Sequence, residues 1–297
     1  MNTPQQLHIP VLLGAVLDFL KPKEGESYLD LTAGYGGHAR EVIARIGAEN
    51  LATLVDRDEF AISNLRDLEQ KGVRVIHSDF LNAAKRLKVE SAKFDMILLD
   101  LGVSSPQLDQ SERGFSFRSE NDLDMRMDRS QDLTAVQIVN RYSEKDLAKI
   151  FVEYGEESPK TAAKIAREIT WVRKKTPITT TSQLADLVKR IKFGRSKIHP
   201  ATQVFQAIRI AVNDELGQLE RTLPILPDLM NKNGRLAIIS FHSLEDRIVK
   251  NFLKDQNDSG LEAELKILTK RPIAGDINMN NNPRARSAKL RVAVKIK

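Results

Sequence analysis

The sequence contains no cysteine. Disulfides, thiolate metal sites and iron–sulfur clusters are therefore excluded, as is any mechanism that needs a covalent thiol adduct. Aromatic residues make up only 5% of the chain, with a single tryptophan. Long hydrophobic runs are also missing. The apolar stretch from Ile9 to Leu20 is interrupted by Asp18, lacks a basic lead-in and is followed at once by Pro22. A membrane span needs about 20 apolar residues and a secretory leader a basic start, so the expectation is a soluble, cytoplasmic protein with no membrane partner. There is no Walker A pattern. His8, His38, His77, His199 and His242 are scattered without ligand spacing, so no metal is expected.

What is present is an alternation. Short apolar runs at Ser27–Thr32, Leu51–Val55, Val73–His77 and Phe94–Leu99 are separated by helical patterns at His38–Ile46 and Glu59–Lys71, after a first helix at Pro10–Leu20. Strand–helix alternation with buried strands predicts an α/β fold with a doubly wound parallel sheet. The alternation then stops for 131 residues, from Val103 to Asn233, until the run Gly234–Ser240. A right-handed crossover needs far fewer residues. Helical spacing at Tyr142–Tyr154, Pro159–Lys175, Ser182–Ile191 and Pro200–Leu223 predicts an inserted helical domain over 108–213, with 1–107 and 214–297 forming the sheet domain. A helix at Leu244–Lys254 and two strands, Ala263–Lys270 and Ser287–Lys297, would close the sheet antiparallel.

The net charge of +6 is unevenly spread. Lys160 to Lys197 holds eleven basic residues against Glu168 and Asp186, a local excess of +9; Lys266 to Lys297 carries +8, which leaves the remainder at −11. A basic helical insert suits a polyanionic partner, although solvated helix faces would give the same count.

Six strings carry chemistry. Asp30-Leu-Thr-Ala-Gly34-Tyr-Gly36-Gly37-His38 follows a strand and opens a helix, as a ligand-cradling turn does, and a plain tight turn is the alternative. Ala39 stands where a dinucleotide fingerprint needs its third glycine, and Asp30 would repel a pyrophosphate. A cationic cofactor without phosphate, such as S-adenosylmethionine, fits better. Asp56 closes the second strand, where a carboxylate suits a ribose diol, while Asp58 reads as a helix N-cap. In Ser78-Asp79-Phe80, Phe80 suits adenine stacking and Asp79 its amino group; a core Phe and a capping Asp fit equally. Asp100-Leu-Gly102-Val-Ser104-Ser105-Pro106-Gln107 is a polar turn at a strand end, where an acceptor can orient a weakly basic amine. Arg113, Phe115, Phe117 and Arg118 form a basic–aromatic string suited to RNA or to a small cluster under a loop. Finally, Ser240-Phe-His242-Ser-Leu-Glu245 offers His242 as an acid or base, or a capping sequence for the next helix.

Together with His8–Leu13, Leu123-Asp-Met-Arg126-Met-Asp128, Tyr154–Glu157, His199–Thr202, Phe205–Asn213 and Arg284–Arg291, these strings resemble the RsmH (MraW) family of bacterial small-subunit ribosomal RNA cytosine-N4 methyltransferases, in order along nearly the whole chain. The resemblance implies a class I S-adenosylmethionine methyltransferase fold with a helical insert. It implies methyl transfer to the N4 amine of a cytidine in 16S rRNA at the decoding centre, with the small ribosomal subunit as partner and a monomer or homodimer as the assembly. The family's cofactor contacts fall on Gly36, Gly37, His38, Asp56, Phe80, Asp100 and Gln107, with Gly34 in the same turn. Candidate catalytic residues are Asp100, Ser104, Ser105 and His242. Candidate RNA contacts are Arg113, Phe115, Phe117, Arg118, Arg126, Lys174, Lys175, Arg195 and Lys197. The absence of cysteine agrees with this, since cytidine C5 chemistry would need a thiol adduct. Asn121-Asp122, Ser158 and Gln203 depart from the family pattern, the last two where it carries arginine. The alternatives are a methyltransferase acting on DNA or protein amines, a nucleotide-dependent oxidoreductase, and a ribosome-binding assembly factor with a vestigial cofactor site.

Overall fold

The computed structural model describes residues 10–102, 113–116, 120–192, 199–275 and 283–297. The chain divides into two units: one comprises 1–102 and 216–297, the other 103–215.

The first unit is built on a mixed sheet. Its strands are β1 (Tyr28–Asp30), β2 (Ala52–Asp56), β3 (Arg74–His77), β4 (Phe94–Asp100), β5 (Met230–Ser240), β6 (Leu265–Ile267), β7 (Ile273–Ala274) and β8 (Lys289–Lys295), in the order β3-β2-β1-β4-β5-β8-β6, with β7 also on β8. The first five pair in parallel, with Leu29 opposite both Thr53 and Ile97, and β8 runs antiparallel to β5, β6 and β7. Helices α1 (Leu13–Leu20) and α2 (Gly37–Ile46) contribute to one apolar cluster, with Leu54, Leu98, Ile239 and Val292; helix α5 (Phe80–Val89) contributes to another, with Leu29, Val55, Ile97 and Ile238. A sheet covered on both faces is why its inner strands read as continuous apolar runs.

Two departures from the sequence reading have local causes. The single helix expected over Glu59–Lys71 is two, α3 (Glu59–Ser63) and α4 (Arg66–Gln70). The Ser63 hydroxyl and the Asn64 amide both donate to the Phe60 carbonyl, and Leu65 N–H reaches back only three residues to Ile62. Such side-chain bonds compete with the helical ladder. At the far end, the expected strand Ala263–Lys270 shortens to β6, and β7 pairs with β8 as well.

The second unit packs α6 (Ala135–Arg141), α7 (Glu144–Glu153), α8 (Pro159–Val172), α9 (Thr181–Ile191) and α10 (Thr202–Asn213) around Phe151, Ile165, Ile169, Leu184, Val188 and Ile208. The expected helix Pro200–Leu223 breaks at Asp214, which takes φ 49°, before α11 (Glu215–Thr222) begins. Asn213 has a second task there. Its buried amide accepts from Met127 N–H at 2.8 Å and donates to the Met125 carbonyl at 2.8 Å, pinning an irregular segment to the helix end. Ser158 caps α8 by accepting from Thr161 N–H, and Gln203 accepts from Lys192 Nζ at 2.8 Å, so both departures from the family pattern have structural work here.

Candidate functional site at the carboxyl edge of the sheet

The parallel strands end in acids: Asp30 on β1, Asp56 on β2 and Asp100 on β4. Chain order reverses between β2 and β4 on either side of β1, and open α/β sheets bind ligands outside the strand ends at such a switch point. The β1–α2 turn crosses this point. Leu31 N–H continues the ladder to Leu98, and Ala33 N–H bonds to Val55. Gly36, at φ 78°, is the left-handed N-cap of α2. Gly37 is required for space, because a Cβ there would stand 2.6 Å from Pro10 Cγ.

The acids differ in environment. Asp56 holds the turn to the end of β2: its Oδ2 accepts from Gly34 N–H and its Oδ1 from Asp58 N–H, both at 2.8 Å. Burial raises its pKa, with those two backbone donors opposing. Each oxygen keeps a second lone pair for a further donor. Asp30 is 1% exposed. It accepts from the Tyr28 hydroxyl at 2.9 Å and from Thr32 N–H at 3.1 Å, and burial pushes its pKa up to about 7. Asp100 is half-buried, with its N–H donated to Thr32 Oγ1 at 2.6 Å and its Oδ2 3.6 Å from His38 Nε2. That is too long for a hydrogen bond. Burial drives the His38 imidazole down to about 4, opposed by the Val11 backbone, so the ring is neutral beside Asp100. Gly34, Gly36, Gly37, His38, Asp56 and Asp100 are thus gathered along one edge.

Phe80 begins α5 half-buried against the sheet, and Asp79 is that helix's cap: its Oδ1 accepts from Asn82 N–H and its Oδ2 from the Asn82 amide. The sequence reading passed over Tyr35 and Phe60, whose rings meet edge-on at 6.0 Å, with Phe60 49% exposed. The signal was Tyr35 itself, a bulky ring set between turn glycines. His242 is the N-cap of α12 (Ser243–Asp258), so the string serves as the capping sequence, the alternative to an acid or base. Its Nδ1 accepts from Glu245 N–H at 3.4 Å, Nε2 lies 3.1 Å from Glu245 Oε1, and Glu245 Oε2 accepts from the N–H groups of Phe241 and His242. The cap engages Nδ1, while Nε2 is buried without a hydrogen-bond partner among the described residues.

The RNA candidates in the second unit separate into two kinds. Phe115 is 7% exposed and part of that unit's core, and Arg113, 6% exposed, donates to the carbonyls of Arg126 and Met127 with its guanidinium 6.0 Å from the Phe115 ring centre. Arg126 clasps Asp124 through Nε and Nη2 and donates from Nη1 to the Arg129 and Gln131 carbonyls. These three residues fold an irregular segment: Arg113 and Phe115 take the alternative of a small cluster under a loop, with Arg126 engaged alongside them. Lys174 and Lys175 are exposed just beyond α8. Ser104, Ser105, Gln107, Phe117, Arg118, Arg195 and Lys197 lie outside the described residues. Part of the C-terminal basic excess is already paired: Lys289 and Arg291 bond Asp246, and the buried Lys295 donates to the Pro227 carbonyl.

The donor set tests the cofactor. The edge carries three carboxylates and a glycine turn, and Asp30 rests near pKa 7 because its burial is not offset by a cation. These residues fit a cationic, phosphate-free cofactor and oppose a pyrophosphate. A parallel β3-β2-β1-β4-β5 core closed by a late antiparallel strand, with this edge, defines a class I S-adenosylmethionine-dependent methyltransferase. The profile of the MraW methylase family matches residues 5–296, and the chain belongs to that family. Three relatives are each named ribosomal RNA small subunit methyltransferase H. That of Synechocystis sp. is 46% identical, covering 97% of this chain and 93% of its own. That of Cyanothece sp. is 49% identical, covering 99% and 96%, and that of Halothermothrix orenii 44%, covering 97% and 98%. Among solved structures, a putative rRNA-methylase from Clostridium thermocellum aligns over 96% of this chain and 93% of its own, at 12% identity and a TM-score of 0.45. Among the described residues no helix is long and apolar enough to cross a membrane.

Proposed function

We propose that this protein methylates the exocyclic N4 amine of a cytidine in small-subunit ribosomal RNA, at the decoding centre, in the cytoplasm. The observation that carries this is near full-length identity of 44–49% to proteins named as small-subunit rRNA methyltransferases. The acidic strand edge and the basic insert support it. S-adenosylmethionine, when bound, supplies an electrophilic methyl group. The 102/103 and 215/216 boundaries would separate a cofactor-binding domain from a substrate-recognition domain. Gly34, Gly36, Gly37 and Gln107 shape the cradle, the open lone pairs of Asp56 take a ribose diol, and Phe80 takes the adenine face. Asp30 supplies negative charge against a cation. The carboxylate of Asp100, assisted by Ser104 and Ser105, orients the amine and accepts its proton. His38 beside it stays neutral and does not compete. His242 fixes the end of β5 through its cap. Lys174, Lys175, Arg195 and Lys197 meet phosphates. A base held in a duplex would be flipped out, at a few kcal/mol.

The test is transfer of labelled methyl to small subunits from cells lacking the protein, with naked rRNA alongside. Label recovered as N4-methylcytidine is expected. Label in another nucleoside, or none despite cofactor binding, would sink the reading.

A further inference from the structure

The geometry points to a second RNA contact in the insert: the outer face of α8 is a strand-docking stripe that ends in a base-stacking platform, Trp171. This rests on the reading that the substrate is RNA. Along α8 the residues Ala162, Ile165, Ala166 and Ile169 are buried in the unit's core. Lys160, Lys164, Arg167 and Trp171 are all exposed. Steps of four, three and four residues place those four side chains on one face, over about 16 Å of helix. Trp171 is 54% exposed, the largest side chain left so open in a chain with few aromatics. The Lys175 ammonium lies 4.4 Å from its ring centre, so one face of the indole carries a cation and the other is left for a base.

The platform is rigidly founded. Ser158 caps the start of α8, and beyond its end the Arg173 guanidinium donates to the Val139 and Tyr142 carbonyls at 2.6 Å each. Two acids border the stripe: Glu144 lies 3.7 Å from Arg167, an exposed pair of the kind that contributes little, and Glu168 follows Lys164 by four residues on the same helix. Successive cations plus one open indole match a single strand, whose phosphates repeat and whose unstacked bases offer π faces. They do not match a bilayer, because the helix's apolar face is already buried and only one apolar side chain remains outside.

Trp171 is the chain's only tryptophan, so its emission reports on this site alone. The probe is a mixed-sequence single-stranded oligoribonucleotide titrated into the full chain. Saturable, salt-sensitive quenching is expected, with no quenching by heparin, a polyanion without bases. On small subunits, Trp171→Ala should raise KM roughly ten-fold with kcat unchanged, and Trp171→Phe should recover most of that loss. Lys160→Ala with Lys164→Ala should flatten the salt dependence of log affinity by about 1.4. Emission unchanged by RNA, equal quenching by heparin, a stronger response to anionic vesicles, or an unchanged KM in Trp171→Ala would each overturn the stripe while wild-type methyl transfer still stood. Failure of wild-type transfer would instead remove the rRNA reading, and RNA quenching without heparin quenching would still uphold the stripe.

Discussion

Replacing Asp30 with Asn should make the cofactor-free protein more stable in alkaline buffer and cripple it for its cofactor. The carboxyl is buried, and its pKa rises from 3.8 to about 7. Above pH 3.8 the unfolded chain gives up this proton while the folded chain keeps it, so stability falls as pH rises and the loss is complete near pH 7. At 1.36 kcal/mol per pKa unit, the interval corresponds to about 4 kcal/mol. His38 works in the opposite direction: its folded pKa of about 4 lies below 6.5, so its contribution is full above pH 6.5 and fades as pH falls toward 4. That interval is worth roughly 3 kcal/mol, and the two largely cancel in the wild-type profile. The difference between wild type and Asp30→Asn isolates Asp30. Asparagine mimics the protonated acid, with its oxygen accepting from Thr32 N–H and its NH2 facing the Tyr28 oxygen. Urea unfolding should give near-equal stabilities at pH 4 and a variant ahead by up to about 4 kcal/mol at pH 8. Cofactor titration should show weaker binding by the variant, and proton release on binding by the wild type. A difference curve flat from pH 4 to 8 would refute the uncompensated-burial argument, and undiminished cofactor affinity would refute the role of Asp30 as counter-charge.

Asp100→Ala should abolish turnover in the methyl-transfer assay; full activity would remove Asp100 from the mechanism. Asp246→Ala deletes the partner of Arg291, which is 9% exposed and bonded at 2.7 Å, so urea unfolding should show a loss of about 3–5 kcal/mol. Arg291 and Lys289 hold the Asp246 carboxyl below 3.8, despite burial. Its contribution is present above pH 3.8 and lost as pH falls through that lowered value, so the variant's deficit should shrink in acid. Asn213→Ala strands the Met127 N–H and Met125 carbonyl; a loss of roughly 2–4 kcal/mol and faster hydrogen exchange around Met125–Met127 are expected.

Much of this protein is determined locally. Buried parallel strands must be apolar throughout, so β1 to β5 show as short runs. Tight turns at strand ends demand glycine, so Gly34, Gly36 and Gly37 mark the edge, and Asp58 announces its cap because capping is settled within three residues. The helices α7, α8 and α9 keep a 3.6-residue apolar period that survives any packing. Where position in space decides, the sequence alone is silent. Two adjacent acids, Asp30 and Asp56, differ in role because one faces a tyrosine hydroxyl and the other bridges two backbone N–H groups. Arg113, Phe115 and Arg126 have the composition of an RNA surface, yet the unit's core and stray carbonyls claim them. Asp214, at φ 49°, breaks a helix that periodicity would continue, and the preceding Asn213 clamps Met127 across 86 residues of chain. Lys160, Lys164, Arg167 and Trp171 form one stripe only once the opposite face of α8 is known to be buried. Periodicity and turn chemistry act through neighbours in sequence, whereas burial, pKa and exposure depend on which distant groups the fold brings alongside.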